Sequence, residues 1–278
     1  MKVVRYLYNV VMDAFYTFLA DDGWAIASHI ALSALMALFP FLIVLTALAG
    51  FVGSRQLADE AARILLEAWP AEVAGPIAGE IHRVLTTARG DVLTLGVALA
   101  VYFSSSGVES LRIGLNRAYG MQEARGWWLL RLESIGYVLV GALALLALAF
   151  LVVLGPLIFA GAVRYAPWLA PIEGIVTFAR LAAASFVLVL ALVLVHLWLP
   201  AGRRRFVDIA PGVIATLALW LAGGLLFARY LDGFSSAYVT TYAGLASVMI
   251  ALVFLYLTAS IFIYGGELNA AIRRANRE

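Results

Sequence analysis

Polar side chains are scarce in this chain, and two stretches gather them at helical spacing. After an apolar run that opens at Val92, Ser104, Ser105 and Ser106 appear, followed by Gly107, Glu109, Arg112 and Asn116. Tyr102, Ser105, Glu109, Arg112, Asn116 and Tyr119 recur three or four residues apart, so on one helix they share a face. Such a stripe cannot point at lipid; it faces other helices, a water-filled cavity or the membrane interface. It can line a path for a polar or charged solute, or Glu109 and Arg112 can simply pair at a helix end. A second set closes the last apolar run, where Tyr256, Ser260, Tyr264 and Glu267 share a face just before Asn269. Gly265-Gly266 beside it permits close helix approach. Glu267 reads either as a lining or coupling group or as an interfacial acid paired with an arginine of the tail.

Other chemistry is poorly provided for. The three histidines, His29, His82 and His196, are not at metal-ligand spacing, and cysteine is absent, which excludes disulfides and thiolate sites. HExxH, GxSxG, P-loop and GxGxxG patterns are missing. The expectation is a protein that is not an enzyme, with no catalytic residue, no metal and no cofactor. His29, four residues before Ser33, and His196 read as hydrogen-bonded structural residues before proton relays. Pro40 marks a kink in an apolar helix.

The elements that carry these residues follow from composition. The 278 residues are 64% hydrophobic and only 13% charged, with mean hydropathy +0.97. An ordinary soluble domain is about a quarter charged, so a water-soluble globule is excluded, as is a disordered chain. Net charge is +2, too little and too dispersed for a nucleic-acid footprint. Six apolar runs are long enough to cross a bilayer: residues 25–51, 92–111, 135–160, 178–199, 209–227 and 244–266. They exceed the length of a barrel strand and show no alternation. The expected fold is all-α, a six-transmembrane-helix bundle forming one membrane domain over residues 1–278. Residues 1–24, with Val4, Leu7, Val11, Phe15 and Phe18 at helical spacing, form an amphipathic segment on the inner surface rather than a cleaved signal. Residues 52–91 form an external loop of two short amphipathic helices broken at Trp69-Pro70.

Orientation follows from the basic residues. With six spans the termini share a side, and twelve of the nineteen Lys and Arg lie there: Lys2, Arg5, Arg112, Arg117, Arg125, Arg131, Arg203, Arg204, Arg205, Arg273, Arg274 and Arg277. Both termini are therefore expected in the cytoplasm. Arg203-Arg204-Arg205 anchors the topology and is a candidate contact for lipid headgroups.

The ordered motifs resemble the YihY, or virulence factor BrkB, family of bacterial inner-membrane proteins, historically mislabelled as ribonuclease BN. The resemblance is carried by Ala31-Leu32-Ser33-Ala34-Leu35 running to Leu38-Phe39-Pro40, and by Gly107, Leu111 and Leu115-Asn116-Arg117-Ala118-Tyr119. It continues through Pro200, Pro211-Gly212, Trp220, Phe227, Tyr230, Tyr242 and Gly265-Gly266-Glu267-Leu268-Asn269. Departures occur at His196-Leu197-Trp198-Leu199-Pro200, Tyr242-Ala243-Gly244 and Phe254-Leu255-Tyr256. The resemblance implies a six-helix inner-membrane protein handling envelope lipids, linked in some bacteria to serum resistance, and it implies no reaction. The leading expectation is transport or handling of envelope lipids or other anionic amphiphiles. Tyr102, Ser105, Glu109, Arg112, Asn116, Tyr264, Glu267 and Asn269 would line the cavity, and membrane lipids would be the partners. The alternative is a non-transporting scaffold of the cell envelope; a membrane-embedded hydrolase ranks third. A second copy or another envelope protein as partner stays open.

The orientation is directly testable in this cysteine-free chain. Single cysteines at position 72 and in the C-terminal tail, probed in intact cells with an impermeant thiol reagent, should label at 72 only; the opposite pattern overturns the assignment.

Overall fold

The structure, a computed structural model, describes residues 2–51, 90–242 and 245–276. Every described element is helical: α1 (Lys2–Ala20), α2 (Gly23–Phe51), α3 (Gly90–Ala118), α4 (Trp127–Ala149), α5 (Gly155–Tyr165), α6 (Glu173–Trp198), α7 (Phe206–Tyr242) and α8 (Ala246–Ala275). A π-helical turn, Phe150–Leu154, joins α4 to α5, and a 3-10 turn, Pro167–Ile172, leads into α6. The widened turn directly precedes Pro156, which has no N–H to return to the carbonyl of Val152, so the ladder is disturbed there.

Among the described residues, four helical stretches are long and apolar enough to cross a membrane: Trp127–Val152, Pro167–Trp198, Phe206–Gly233 and Ala246–Ala275. A shorter apolar helix, Gly23–Leu38, opens α2, and α3, whose second half carries the polar stripe, is not among the four. The expected external loop lies outside the described residues as far as residue 89, and Gly90 and Asp91 already belong to α3. Helix limits differ from the apolar runs. The run 209–227 is the middle of α7, which continues through Arg229 and Asp232 to Tyr242. Backbone hydrogen bonding does not end where hydropathy does.

The chain doubles back repeatedly. The turn from α1 to α2, the connections after α3 and α6, and the last turns of α8 all meet at one end, tied by Arg117–Asp22, Asn116–Ala201 and Arg273–Tyr119 contacts. This common end is where the polar residues collect. α8 is the central element and packs against α1, α2, α3 and α7. Its buried set is dominated by small residues, among them Ala246, Ser247, Ala251, Ala259, Ser260, Gly265, Gly266, Ala270 and Ala271. Lipid tails are as apolar as leucine, so close van der Waals packing of small side chains is what joins such helices. The most apolar stretch of α4, by contrast, has no buried residue, and Trp127 and Trp128 at its start are exposed, as suits aromatics at a membrane interface.

Two glycines set the α7–α8 spacing. A Cβ on Gly212 would lie 2.1 Å from the Gly265 carbonyl oxygen and 2.4 Å from the Asn269 amide nitrogen, while one on Gly265 would lie 2.1 Å from the Thr216 hydroxyl. Gly266 faces the other way, where a Cβ would sit 2.8 Å from Leu115 of α3. The two adjacent glycines therefore admit two different helices. α1 docks on the last turns of α8 through Val10 and Ala14 against Ala271, while Val4, Leu7, Tyr8, Val11 and Phe15 stay exposed. Of the five residues expected on one apolar face, Val4, Leu7, Val11 and Phe15 are among these exposed ones, whereas Phe18 turns into the core of the bundle.

Gly212→Val should therefore cost at least about 1–3 kcal/mol through backbone overpacking. Gly224→Ala, with open space at the same helix's surface, should be neutral or stabilising by up to about 1 kcal/mol. Thermal melting of the two purified variants checks this.

Candidate functional site: the polar girdle at the common end

The second half of α3 and the start of α4 face each other with alternating charges. Arg131 reaches Glu109 at 3.2 Å, Glu109 accepts from Arg112 at 3.2 Å, and Arg112 lies 3.7 Å from Glu123. Glu123 is held by Arg125 at 2.8 Å, and Arg125 reaches Glu133 at 2.7 Å. Three acids and three arginines thus form one alternating chain across α3, the connection and α4. Arg112 is the buried member, its side chain 4% exposed, and it also donates to the Leu130 carbonyl at 3.4 Å. A buried guanidinium is tolerable only when its donors and charge are met. Tyr102, the outermost residue of the stripe, is exposed, and Arg131 lies over its ring at 4.9 Å. Ser105 is buried and returns its hydroxyl to the Tyr102 carbonyl at 2.9 Å.

Two asparagines tie the connections to the bundle. Asn116 accepts from the Ala201 N–H at 2.6 Å and donates to Glu123 at 3.2 Å, so it bridges the segments after α6 and after α3. These segments touch where the Met121 methyl comes within 2.5 Å of where a Gly202 Cβ would stand, at φ +87°, a position that requires glycine. Asn269 accepts from the Gly212 N–H at 2.6 Å, next to Pro211, and donates to the Tyr119 phenol at 3.2 Å. Burial pushes the Tyr119 phenol above its ordinary value, so it stays neutral. Arg204 lies over that ring at 4.2 Å and donates to the Ala201 carbonyl at 2.6 Å. Arg273 donates to the Tyr119 carbonyl at 3.4 Å.

Glu267 and Tyr264 face α1 instead. The Tyr264 phenol donates to the Val11 carbonyl at 3.3 Å, and Glu267 is buried beside Thr17 and Asp21. The residues singled out from the sequence therefore divide: Glu109, Arg112 and Asn116 reach α4 and the connections, Asn269 reaches α7, and Tyr264 and Glu267 reach α1. Arg203 and Arg205 are exposed, without an ion pair among the described residues, while Arg204 is half-buried. His29 lies 2.5 Å from the Ser110 hydroxyl between α2 and α3, and His196 is buried with Nδ1 on the Leu192 carbonyl at 2.9 Å. Glu123, Arg125 and Glu133 escaped the sequence reading. The clue was present as two close pairs of opposite charge, Glu123 with Arg125 and Arg131 with Glu133, in a chain otherwise poor in charge. Among the described residues, no three of His, Asp and Glu gather to hold a metal ion.

Arg125 grips Glu123 with Nε on one carboxylate oxygen and a terminal nitrogen on the other, each at 2.8 Å. This holds the Glu123 carboxyl down to about 2 from an ordinary value of 4.5. A depressed carboxyl favours the folded state fully above its unfolded value, and that contribution disappears as pH falls from about 4.5 toward 2. Glu123→Gln should cost on the order of 1–3 kcal/mol at neutral pH, with the gap to the unaltered protein closing below pH 4. Melting temperatures of both proteins across that range test it.

Comparison with known proteins follows this geometry. The chain is 24% identical over 277 residues to the ribonuclease-like protein YfkH of Bacillus subtilis (strain 168), and the match covers 97% of each chain. No solved structure matches. The family described as virulence factor BrkB matches residues 14–278, including every helix from α2 onward and the whole girdle, and this chain belongs to it.

Proposed function

We propose that this protein is a non-enzymatic, multi-pass protein of the bacterial inner membrane that binds and moves envelope lipids or other anionic amphiphiles. In this reading six helical passes place both termini and the common end in the cytoplasm. The observation that carries it is the composition of the α6–α7 connection. Arg203 and Arg205 project as exposed cations without a carboxylate partner among the described residues, on a connection flanked in sequence by exposed Trp198, Phe206 and Val207. Cations and exposed apolar residues close together in sequence suit an anionic headgroup and its chains. Most other arginines at this end are paired: Arg112, Arg117, Arg125, Arg131 and Arg274 each meet an acid.

The second reading is a non-transporting scaffold of the envelope. It has its own observation, the alternating ion chain from Arg131 to Glu133, which uses the stripe's charges in helix-to-helix contacts. The name of YfkH raises a hydrolytic reading for that protein; at 24% identity it is not carried to this chain.

Reconstitution separates the readings. Protein in vesicles with a labelled anionic lipid should accelerate its movement between leaflets above protein-free vesicles. Arg203→Gln with Arg205→Gln should lower that rate several-fold without changing the melting temperature. Under transport, Glu109→Gln and Arg112→Gln abolish movement in protein that still folds. Loss of stability alone, with no lipid movement by the unaltered protein under any imposed gradient, overturns the transport reading in favour of the scaffold.

A further inference from the structure

Glu267 is only 1% exposed, and among the described residues neither of its carboxylate oxygens meets a hydrogen-bond partner. A buried carboxylate without donors is among the costliest arrangements a fold can hold unless positive charge reaches it. The groups around it are Thr17 and Asp21 from α1 and the turn that follows it, Arg274 from its own helix, and Tyr119 from the end of α3.

The local charges do not cancel. Arg274 is committed to Asp13 at 2.9 Å and also donates to the Thr17 hydroxyl at 3.2 Å. Arg117 is committed to Asp22 at 3.1 Å and to the Asp21 carbonyl at 3.0 Å. Of the four acids here, Asp13 and Asp22 are thus paired, while Asp21 and Glu267 have no ion pair of their own among the described residues; the positive charge acting on Glu267 is that of Arg274, already held by Asp13. The last turn of α1 adds the negative end of a helix dipole. The Thr17 hydroxyl spends its proton on the Asp13 carbonyl at 2.7 Å and accepts from Arg274, so one lone pair remains to accept. Apart from the Arg274 guanidinium, the groups presented to this point are oxygens.

We propose that Glu267, Asp21 and the Thr17 hydroxyl form a binding site for one small hard cation, sodium or a proton, at the C-terminal end of α1. Helix C-terminal ends and carboxylates are the means by which membrane proteins hold these two ions. A sodium ion would take oxygens from both carboxylates and the hydroxyl. A proton would sit on one carboxyl and be donated to the other. Either ion draws the α1–α2 turn against α8, so occupancy of the site and docking of α1 are linked. The site does not depend on the lipid reading, because its occupancy is measurable without any lipid substrate.

The test uses the full chain purified in detergent. Melting temperature is followed against sodium chloride at pH 8, with choline chloride at matched ionic strength as the control, and separately from pH 8 to pH 5 in choline chloride. A saturable rise of roughly 2–4 °C is expected in one arm: the sodium arm identifies sodium, and a rise confined to the acid arm identifies the proton. Glu267→Gln, which keeps the shape and removes the charge, should abolish the response. Asp21→Asn, on the turn outside the α8 core, should weaken it at least several-fold and carries the test should Glu267→Gln fail to fold. Absence of both responses in the unaltered protein, or an undiminished response in every variant that folds, overturns the proposal.

Discussion

The arrangement of the common end depends on one contact, the backbone approach of α7 and α8 at Gly212 and Gly265. It brings the Asn269 amide within 2.6 Å of the Gly212 N–H, and the same amide then fixes Tyr119. Tyr119 in turn receives Arg204 on its face and Arg273 on its carbonyl. A side chain larger than hydrogen at either glycine separates these partners. In a bundle surrounded by hydrocarbon this matters more than in water, because dispersion between closely packed backbones is the main attraction available between helices.

Around that contact the scarce charges are distributed unevenly. One set closes on itself in the chain from Arg131 to Glu133, where every acid lies between arginines or beside one. This rigidly joins α3 to α4 and leaves no charge over. Another set, on α1, the turn after it and the end of α8, pairs incompletely and leaves Asp21 and Glu267 without an ion pair among the described residues. A third, Arg203 and Arg205, projects outward. The three sets occupy the same end of the bundle but differ physically: one cross-links helices, one leaves two carboxylates without an ion pair among the described residues, and one projects arginines to the outside.

The polar stripe shows how far periodicity reads. Three- and four-residue spacing correctly places Ser105, Arg112 and Asn116 toward the protein, and all are buried. Periodicity also put Tyr102 on the same face, yet that residue is exposed, with Arg131 over its ring. The pairing of Glu109 with Arg112 was legible as neighbours on one helix. Its continuation through Glu123, Arg125 and Glu133 was not, because those partners come from a connection whose path depends on Gly202 and Asn116.

Composition and the lengths of apolar runs alone determined that this is an all-helical membrane protein, since the hydrophobic thickness of a bilayer sets a length that soluble cores do not require. The sequence motifs likewise determined its family. Which residues meet was decided only by the tertiary structure. Gly265 and Gly266 are identical in sequence terms, yet one admits α7 and the other α3, because they sit about 100° apart around α8. Glu267 and Asn269 are two residues apart and face different helices for the same reason. The orphaned carboxylate arises only when α1 folds back from the far end of the chain to cover it, a long-range contact that no local pattern encodes.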